Sequence, residues 1–240
     1  MFYKLNSFRD LSKNTNKLPV LLIGSIEQHG PFLPVGTDSL VAEALGDSLE
    51  EKLSSKLLIL PVLTFGCSKE HLGFPGTISI EFSTYMLFIK DILNSLKESG
   101  FKKVLIISSH GGNDLVAKLI QADWNYESKM KVEYIYAFDE EVDKKTTQLF
   151  GESEMHAGSS ESSIVAFLHP NLVKFIGKKI NKLFAPNLEK AFVLYNSKEV
   201  TPLGILNFSP ELEINPDKGQ KLYDFIVQNI CQKVTNILKN

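Results

Sequence analysis

Glu27, His29 and Asp38 fall within one short stretch, Gly24-Ser25-Ile26-Glu27-Gln28-His29-Gly30-Pro31-Phe32-Leu33-Pro34-Val35-Gly36-Thr37-Asp38. Mixed sets of imidazole and carboxylate are the usual ligands of zinc, manganese or ferrous iron. Glu27 and His29 are two residues apart, so in an extended chain they project from the same face. Asp38 can return to that face after the Pro-Gly turn. The alternative is a polar strand-to-helix loop in which Asp38 or Ser39 caps a helix.

The chain has five histidines, and four of them lie by glycines. His71 sits in Cys67-Ser68-Lys69-Glu70-His71-Leu72-Gly73-Phe74-Pro75-Gly76-Thr77, where it reads equally as a surface residue or as part of a site. His110 sits in Ser108-Ser109-His110-Gly111-Gly112-Asn113, whose glycines let backbone approach a ligand closely. The competing reading for that loop is anion binding by amides at a helix N-terminus. His156 and Glu161 share His156-Ala157-Gly158-Ser159-Ser160-Glu161, and their bland reading is a first helical turn with Glu161 favourable to the dipole. His169 precedes Pro170 and is read as the end of a helix. Cys67 is read as packing, because no base stands next to it. No Gly-x-Ser-x-Gly elbow, dinucleotide fingerprint or P-loop occurs.

Such residues need elements that hold them together, and apolar runs alternate with helical spacing along the chain. Strands are predicted at residues 20–23, 57–63, 104–107 and 132–138, with Pro61 marking an edge or a bulge. Helices are predicted over residues 39–53, 81–98, 113–124 and 159–168. A last long helix starts at Asn215-Pro216, a cap followed by proline at the first helical position. Short continuous apolar strands separated by helices imply a parallel sheet covered on both faces. No Ser/Gly/Pro-rich linker divides the chain, so one domain over residues 1–240 is the simplest account. In such sheets ligands bind beyond the carboxyl ends of the strands. Glu27 and His29 follow the first strand, His71 the second, His110 the third, and His156 the fourth after a longer loop. Residues 185–215 are the least periodic; they read as loops with a short hairpin and as a lid.

Hydrophobic residues make up 43% and charged residues 22%, as in ordinary globular proteins. The net charge of −2 favours neither nucleic acid nor an anionic membrane. Cys67 and Cys231 fit no CxxC pattern, which argues against a disulfide framework or a cysteine zinc site. The N-terminus lacks the apolar core of a signal peptide. No apolar run approaches the roughly 20 residues needed to span a bilayer. The expectation is a cytoplasmic protein.

Glu27-Gln28-His29-Gly30-Pro31 with Leu33-Pro34 and Thr37-Asp38 resembles the signature of the creatininase (creatinine amidohydrolase) family. Phe74-Pro75-Gly76-Thr77, His110-Gly111-Gly112-Asn113, and His156-Ala157-Gly158 with Glu161 resemble it too, in family order. The region near Gly204 and Lys218-Gly219 is similar more loosely. The resemblance implies a three-layer α/β/α fold with a mostly parallel central sheet. It implies a hydrolase of non-peptide C–N bonds that activates water with one or two divalent metals: zinc, manganese or iron. Relatives in the family include creatininases, formamidopyrimidine deformylases of archaeal riboflavin and deazaflavin synthesis, and a peptidase of mycofactocin maturation. A homologue that binds metal without catalysis is a further alternative. The family's ligands map onto Glu27, His29, Asp38 and His110, with Asp38 as the bridge. Creatininases complete the second site with a glutamate two residues after the last histidine; Gly112 stands there, which leaves Glu161 as a source of the carboxylate. His156 or Glu161 would give the leaving nitrogen its proton. Creatininases also line the pocket with tryptophans; this chain has only Trp124, set earlier, which argues against creatinine as substrate. The family implies homo-oligomers, ring-like hexamers among them, and Phe184 and Phe192 would suit an interface. The substrate expected is a small molecule.

Overall fold

The apolar run that leads into Glu27 and His29 is a central strand. In the computed structural model, residues 1–151, 154–177, 179–180, 196–207 and 211–239 are described. A short helix α1 (Phe8–Ser12) precedes strand β1 (Leu18–Ile23), helix α2 (Thr37–Leu53) and strand β2 (Leu57–Ile59). Then come α3 (Phe82–Glu98), β3 (Lys103–Ser108), α4 (Asp114–Glu127) and β4 (Lys131–Tyr136). The four strands form one parallel sheet in the order β2-β1-β3-β4.

Every residue of β1 is buried, as expected of a strand covered on both faces. Its side chains alternate between two cores. Val20 and Leu22 join Leu105 and Ile107 against α2 residues Leu45 and Leu49. Helices α6 (Ser159–Leu168) and α8 (Pro216–Ile237) complete that layer with Ile164, Leu222 and Ile226. Leu21 and Ile23 face the other way with Val104 and Ile106, packing against Tyr85, Ile89 and Leu93 of α3 and Ile120 of α4. The result is the layered α/β/α arrangement expected.

Several boundaries moved. Strand β2 stops at Ile59 rather than at residue 63, since Pro61 has no N–H for a ladder; Leu63 touches β1 again through a single bridge to Ile23. The loop expected between β4 and His156 contains a helix, α5 (Glu140–Phe150). Asp139 caps it by accepting from the N–H groups of Glu141 and Val142, and Gly151 ends it at φ +88°. Only Val142 and Thr146 of α5 are buried, and its apolar residues are few, Val142, Leu149 and Phe150 among charged ones. His156 therefore sits on a short strand, Glu154–His156, antiparallel to Leu206–Asn207, and not at the end of β4.

Strand Leu212–Glu213 pairs with Lys179–Ile180. Among the described residues, the strand pieces of 185–215 thus pair with distant segments and make no local hairpin. The segment also holds a one-turn helix, α7 (Ser197–Val200). Residues 185–195 and 208–210, like Phe184 and Phe192, lie outside the described residues. Trp124 is a core residue whose indole N–H donates to the Met130 carbonyl at 3.0 Å. Both cysteines are free. No helix among the described residues is long and apolar enough to cross a membrane.

Candidate metal centre

The loops beyond the carboxyl ends of β1, β2 and β3 meet over the sheet edge. Asn113 staples them: its Oδ1 accepts from Cys67 N–H at 2.9 Å and its Nδ2 donates to the Gly24 carbonyl at 3.0 Å. Asp38 lies in the first turn of α2 and is buried; the helix has no side-chain cap, so neither Asp38 nor Ser39 serves as one. Ser39 instead donates to the Ser25 carbonyl at 2.9 Å. On α6, Glu161 reaches back so that its Oε2 accepts from Ala157 N–H at 2.6 Å. Ala157 holds a left-handed φ of +55°, a conformation a side chain adopts at a cost of about 1–3 kcal/mol.

The structure brings Glu27, His29, Asp38, His110, His156 and Glu161 to one place. Three overlapping trios, Glu27/Asp38/His110, His29/Asp38/Glu161 and Glu27/His29/His156, each offer ligand atoms within 4.8 Å of one another. Asp38 divides its oxygens: Oδ2 lies 3.2 Å from His110 Nδ1 and Oδ1 lies 3.4 Å from His29 Nε2. Glu27 Oε2 is 3.1 Å from His110 Nε2, and Glu161 Oε2 is 3.9 Å from His29 Nε2. Gly112 leaves no room for the glutamate expected of a creatininase, because a Cβ there would overlap the Cys67 carbonyl and His110 Nε2. His71, open between surface and site in the sequence, is buried with Nε2 3.4 Å from Glu27 Oε1.

Hydrogen bonds orient the rings. A backbone carbonyl only accepts, so a ring nitrogen bonded to one carries the proton. His29 Nδ1 lies 3.2 Å from the Glu27 carbonyl, His110 Nε2 lies 2.8 Å from the Cys67 carbonyl, and His156 Nε2 lies 2.8 Å from the Gln28 carbonyl. Each bond turns the ring's other nitrogen toward the carboxylates. This is the arrangement by which metal-binding histidines are held.

The electrostatics ask for a cation. Burial drives Glu27 up to about 7 against the opposing pull of His110. Burial also raises Glu161, with His29 opposing. His29 and His110 would be lowered by burial alone, but Asp38 and Glu27 respectively override it and both rise to about 10. Asp38 would be raised by burial, but His29 and His110 hold it below the usual carboxylate range. Protons on two rings thus compensate a knot of carboxylates. Glu27 Oε1, His29 Nε2 and Asp38 Oδ2 are buried and make no well-aligned hydrogen bond among the described residues, although ring or carboxylate atoms face them at 3.2–3.4 Å. Such orphaned atoms are costly, and a divalent ion at this donor set would satisfy all three. The residues fit the group.

Burial pushes the Cys67 thiol up to about 12, which accords with packing and not with a nucleophile. The cavity over the cluster holds about 200 Å³ and is walled by Tyr136, Met155, Ser197, Val200 and Leu206 as well as by the charged residues. Sequence reasoning did not single out Gln28, Tyr136 or Ser197. Gln28 had a signal, since it stands between Glu27 and His29, but strand alternation assigned it to the opposite face. Ser197 and Tyr136 carried none.

Residues 4–234 match the family described as creatinine amidohydrolase. A mycofactocin precursor peptide peptidase of Mycolicibacterium smegmatis is 28% identical over 160 residues, which are 64% of this chain and 60% of that protein. The chain thus spans less than two thirds of the length of that relative. A 2-amino-5-formylamino-6-ribosylaminopyrimidin-4(3H)-one 5'-monophosphate deformylase of Methanothermus fervidus is 25% identical over 95% of this chain and 88% of its own. A solved structure described as creatininase with Mn superposes with a TM-score of 0.82 at 19% identity, covering 100% of this chain and 99% of that one. At that identity the likeness is one of fold.

Proposed function

The chain belongs to the creatinine amidohydrolase family, and on that premise we propose that it is a metal-dependent amidohydrolase cleaving the non-peptide C–N bond of a small cyclic amide or formamide. The observation that carries the reading is the pair of trios sharing Asp38, Glu27/Asp38/His110 and His29/Asp38/Glu161, with orphaned buried atoms in both. Those five residues would hold one or two ions of zinc, manganese or iron. A bound divalent ion supplies a polarised carbonyl and a water whose pKa falls from 15.7 to about 7.

The chain's own groups do the rest. Asp38 sets the spacing between the two loci by sending one oxygen to each. Glu161 makes up for the glutamate that Gly112 excludes. His156 is kept neutral by burial and by its neighbours His71 and His29. With Nε2–H committed to the Gln28 carbonyl, its Nδ1 accepts the proton given up by the attacking water and returns it to the leaving nitrogen. Proton transfer of this kind contributes about 10²–10⁴-fold. Because Glu161 Oε2 is engaged with Ala157 N–H at 2.6 Å, His156 is the better proton carrier.

The cavity of about 200 Å³ is smaller than the roughly 300–1,000 Å³ of drug-sized ligand sites. That supports a compact substrate over the peptide named for the Mycolicibacterium relative. Residues 1–240 would act as one domain, in a cytoplasmic homo-oligomer. The test is hydrolysis of small formamides and cyclic amides by protein loaded with manganese, zinc or iron, together with metal content per chain. His29→Ala is expected to lose both metal and turnover. Full turnover by metal-free His29→Ala protein would remove the mechanism, and metal without any turnover would leave a binding protein.

A further inference from the structure

Four histidine rings meet at this site, and one of them is turned the opposite way. Gln28 decides it. Its Oε1 accepts from Gly30 N–H at 3.0 Å, which makes the other end of the amide the NH2 group. Three acceptor candidates surround that nitrogen: Gly204 O at 2.9 Å, His156 Nε2 at 2.9 Å and His71 Nδ1 at 3.1 Å. His156 Nε2 already carries a proton for the Gln28 carbonyl and cannot accept. The two amide hydrogens therefore go to Gly204 O and His71 Nδ1. An Nδ1 that accepts leaves the proton of a neutral His71 on Nε2, and that N–H faces Glu27 Oε1 at 3.4 Å. His156 presents a lone pair to the cluster, and His29 and His110 would do so once a cation displaces their second protons; His71 presents a donor.

The same Nδ1 lies 2.9 Å from Ser197 Oγ, whose hydroxyl then donates. Ser197 opens α7, the turn that walls the cavity with Val200. The ring itself stacks on His156 at 4.1 Å and 22°. Gly204 is packed just as closely: it takes φ +72°, and a Cβ there would overlap the Gln28 amide. One imidazole thus touches a carboxylate of the candidate centre, the proposed proton carrier and the wall of the cavity.

We propose that His71 is a positioning residue with two separable ends: its Nε2–H orients the Glu27 carboxylate for the cation, and its Nδ1 seats the 196–204 wall through Ser197 and Gln28. This rests on the metal-centre reading above. It assigns His71 neither as a ligand nor as an acid or base.

Asparagine and glutamine imitate the two ends of histidine, since an Asn amide overlays Nδ1 and a Gln amide overlays Nε2. Manganese affinity is read by calorimetry, and the wall by amide exchange across residues 197–204. His71→Asn is expected to weaken manganese about 10–100-fold, the usual effect of losing a group that orients a ligand, with exchange of the wall unchanged. His71→Gln is expected to keep near-native manganese affinity, to speed exchange at Glu199 and Thr201, and to raise KM more than it lowers kcat. Ser197→Ala, which leaves the ring in place, is expected to speed exchange alone. Native manganese affinity in His71→Asn overturns the proposal, as does equal metal loss in both His71 variants. Should neither His71 variant fold, unchanged exchange in Ser197→Ala overturns it. Wild-type protein that binds no manganese sinks the metal-centre reading with it, whereas wild type and His71→Asn binding alike sinks only the role of His71.

Discussion

Gly112→Ala is a one-methyl change that the site has no space to receive. A Cβ at this position would overlap the Cys67 carbonyl oxygen and His110 Nε2 and would lie 2.9 Å from Glu70 Oε1. A carbon and a carbonyl oxygen approach to about 3.3–3.6 Å, so the backbone at Cys67 or Gly112 must shift by on the order of 1 Å. Glu70 could swing aside, but the Cys67 carbonyl cannot: Cys67 N–H is pinned by Asn113, and its oxygen takes the His110 proton. Overpacking of this kind costs about 1–3 kcal/mol, and a rigid backbone neighbour puts the change at the upper end. For a chain of this size, with about 2–4 °C per kcal/mol, a cost of about 3 kcal/mol lowers Tm by about 6–12 °C. Displacing His110 should also weaken manganese binding. Gly111→Ala is the control: its Cβ meets only Tyr136 Oη at 3.4 Å, an ordinary contact. Its Tm should stay within the change expected of about 0.5 kcal/mol. Scanning calorimetry with and without manganese reads both. A Gly112→Ala protein that melts with wild type and binds manganese as tightly would refute the claim that this glycine is required by space.

Glu161→Gln keeps the acceptor for Ala157 N–H but removes the charge from the His29/Asp38/Glu161 trio, so elemental analysis should find less metal per chain than in wild type; unchanged content would count against the Glu161 charge as part of the site. In the metal-free protein His29 and His110 keep their protons to about 10 against an ordinary 6.5. The stability they contribute is therefore complete below 6.5 and fades as pH rises toward 10. A metal must displace those protons, so manganese affinity should climb with pH, with proton release visible by calorimetry in buffers of different ionisation enthalpy; affinity that is flat with pH contradicts it. Glu154 accepts from the Ser159 and Ser160 N–H groups at 2.7 and 2.6 Å, at the start of α6. Glu154→Ala should cost about 0.5–2 kcal/mol, as lost helix caps do, measured by urea unfolding.

Much of the frame was legible along the chain because its signals are local. The buried strands β1, β3 and β4 are short apolar runs, and Asn215-Pro216 marks the start of α8 with its own cap. Helix α5 escaped because it is short and mostly charged: its marks are Asp139 and Gly151 at its ends and a sparse apolar stripe of Val142, Leu149 and Phe150. Among the described residues of 185–215 the strand pieces pair with distant segments, since two-residue strands carry no pattern that names a partner.

Residue types and spacing determined that Glu27, His29, Asp38 and His110 could share one centre, since motif and strand-end position are properties of neighbours in sequence. Tertiary structure alone decided which groups surround them. It brought Glu161 beside His29 from far along the chain, filled the space at Gly112 with the Cys67 carbonyl, and turned His71 through Gln28 and Ser197 so that it offers a proton where the other rings would offer lone pairs to a cation. The physical reason is that a ring's donor or acceptor role is set by what lies against its other nitrogen, and here those contacts come from segments up to 128 residues apart.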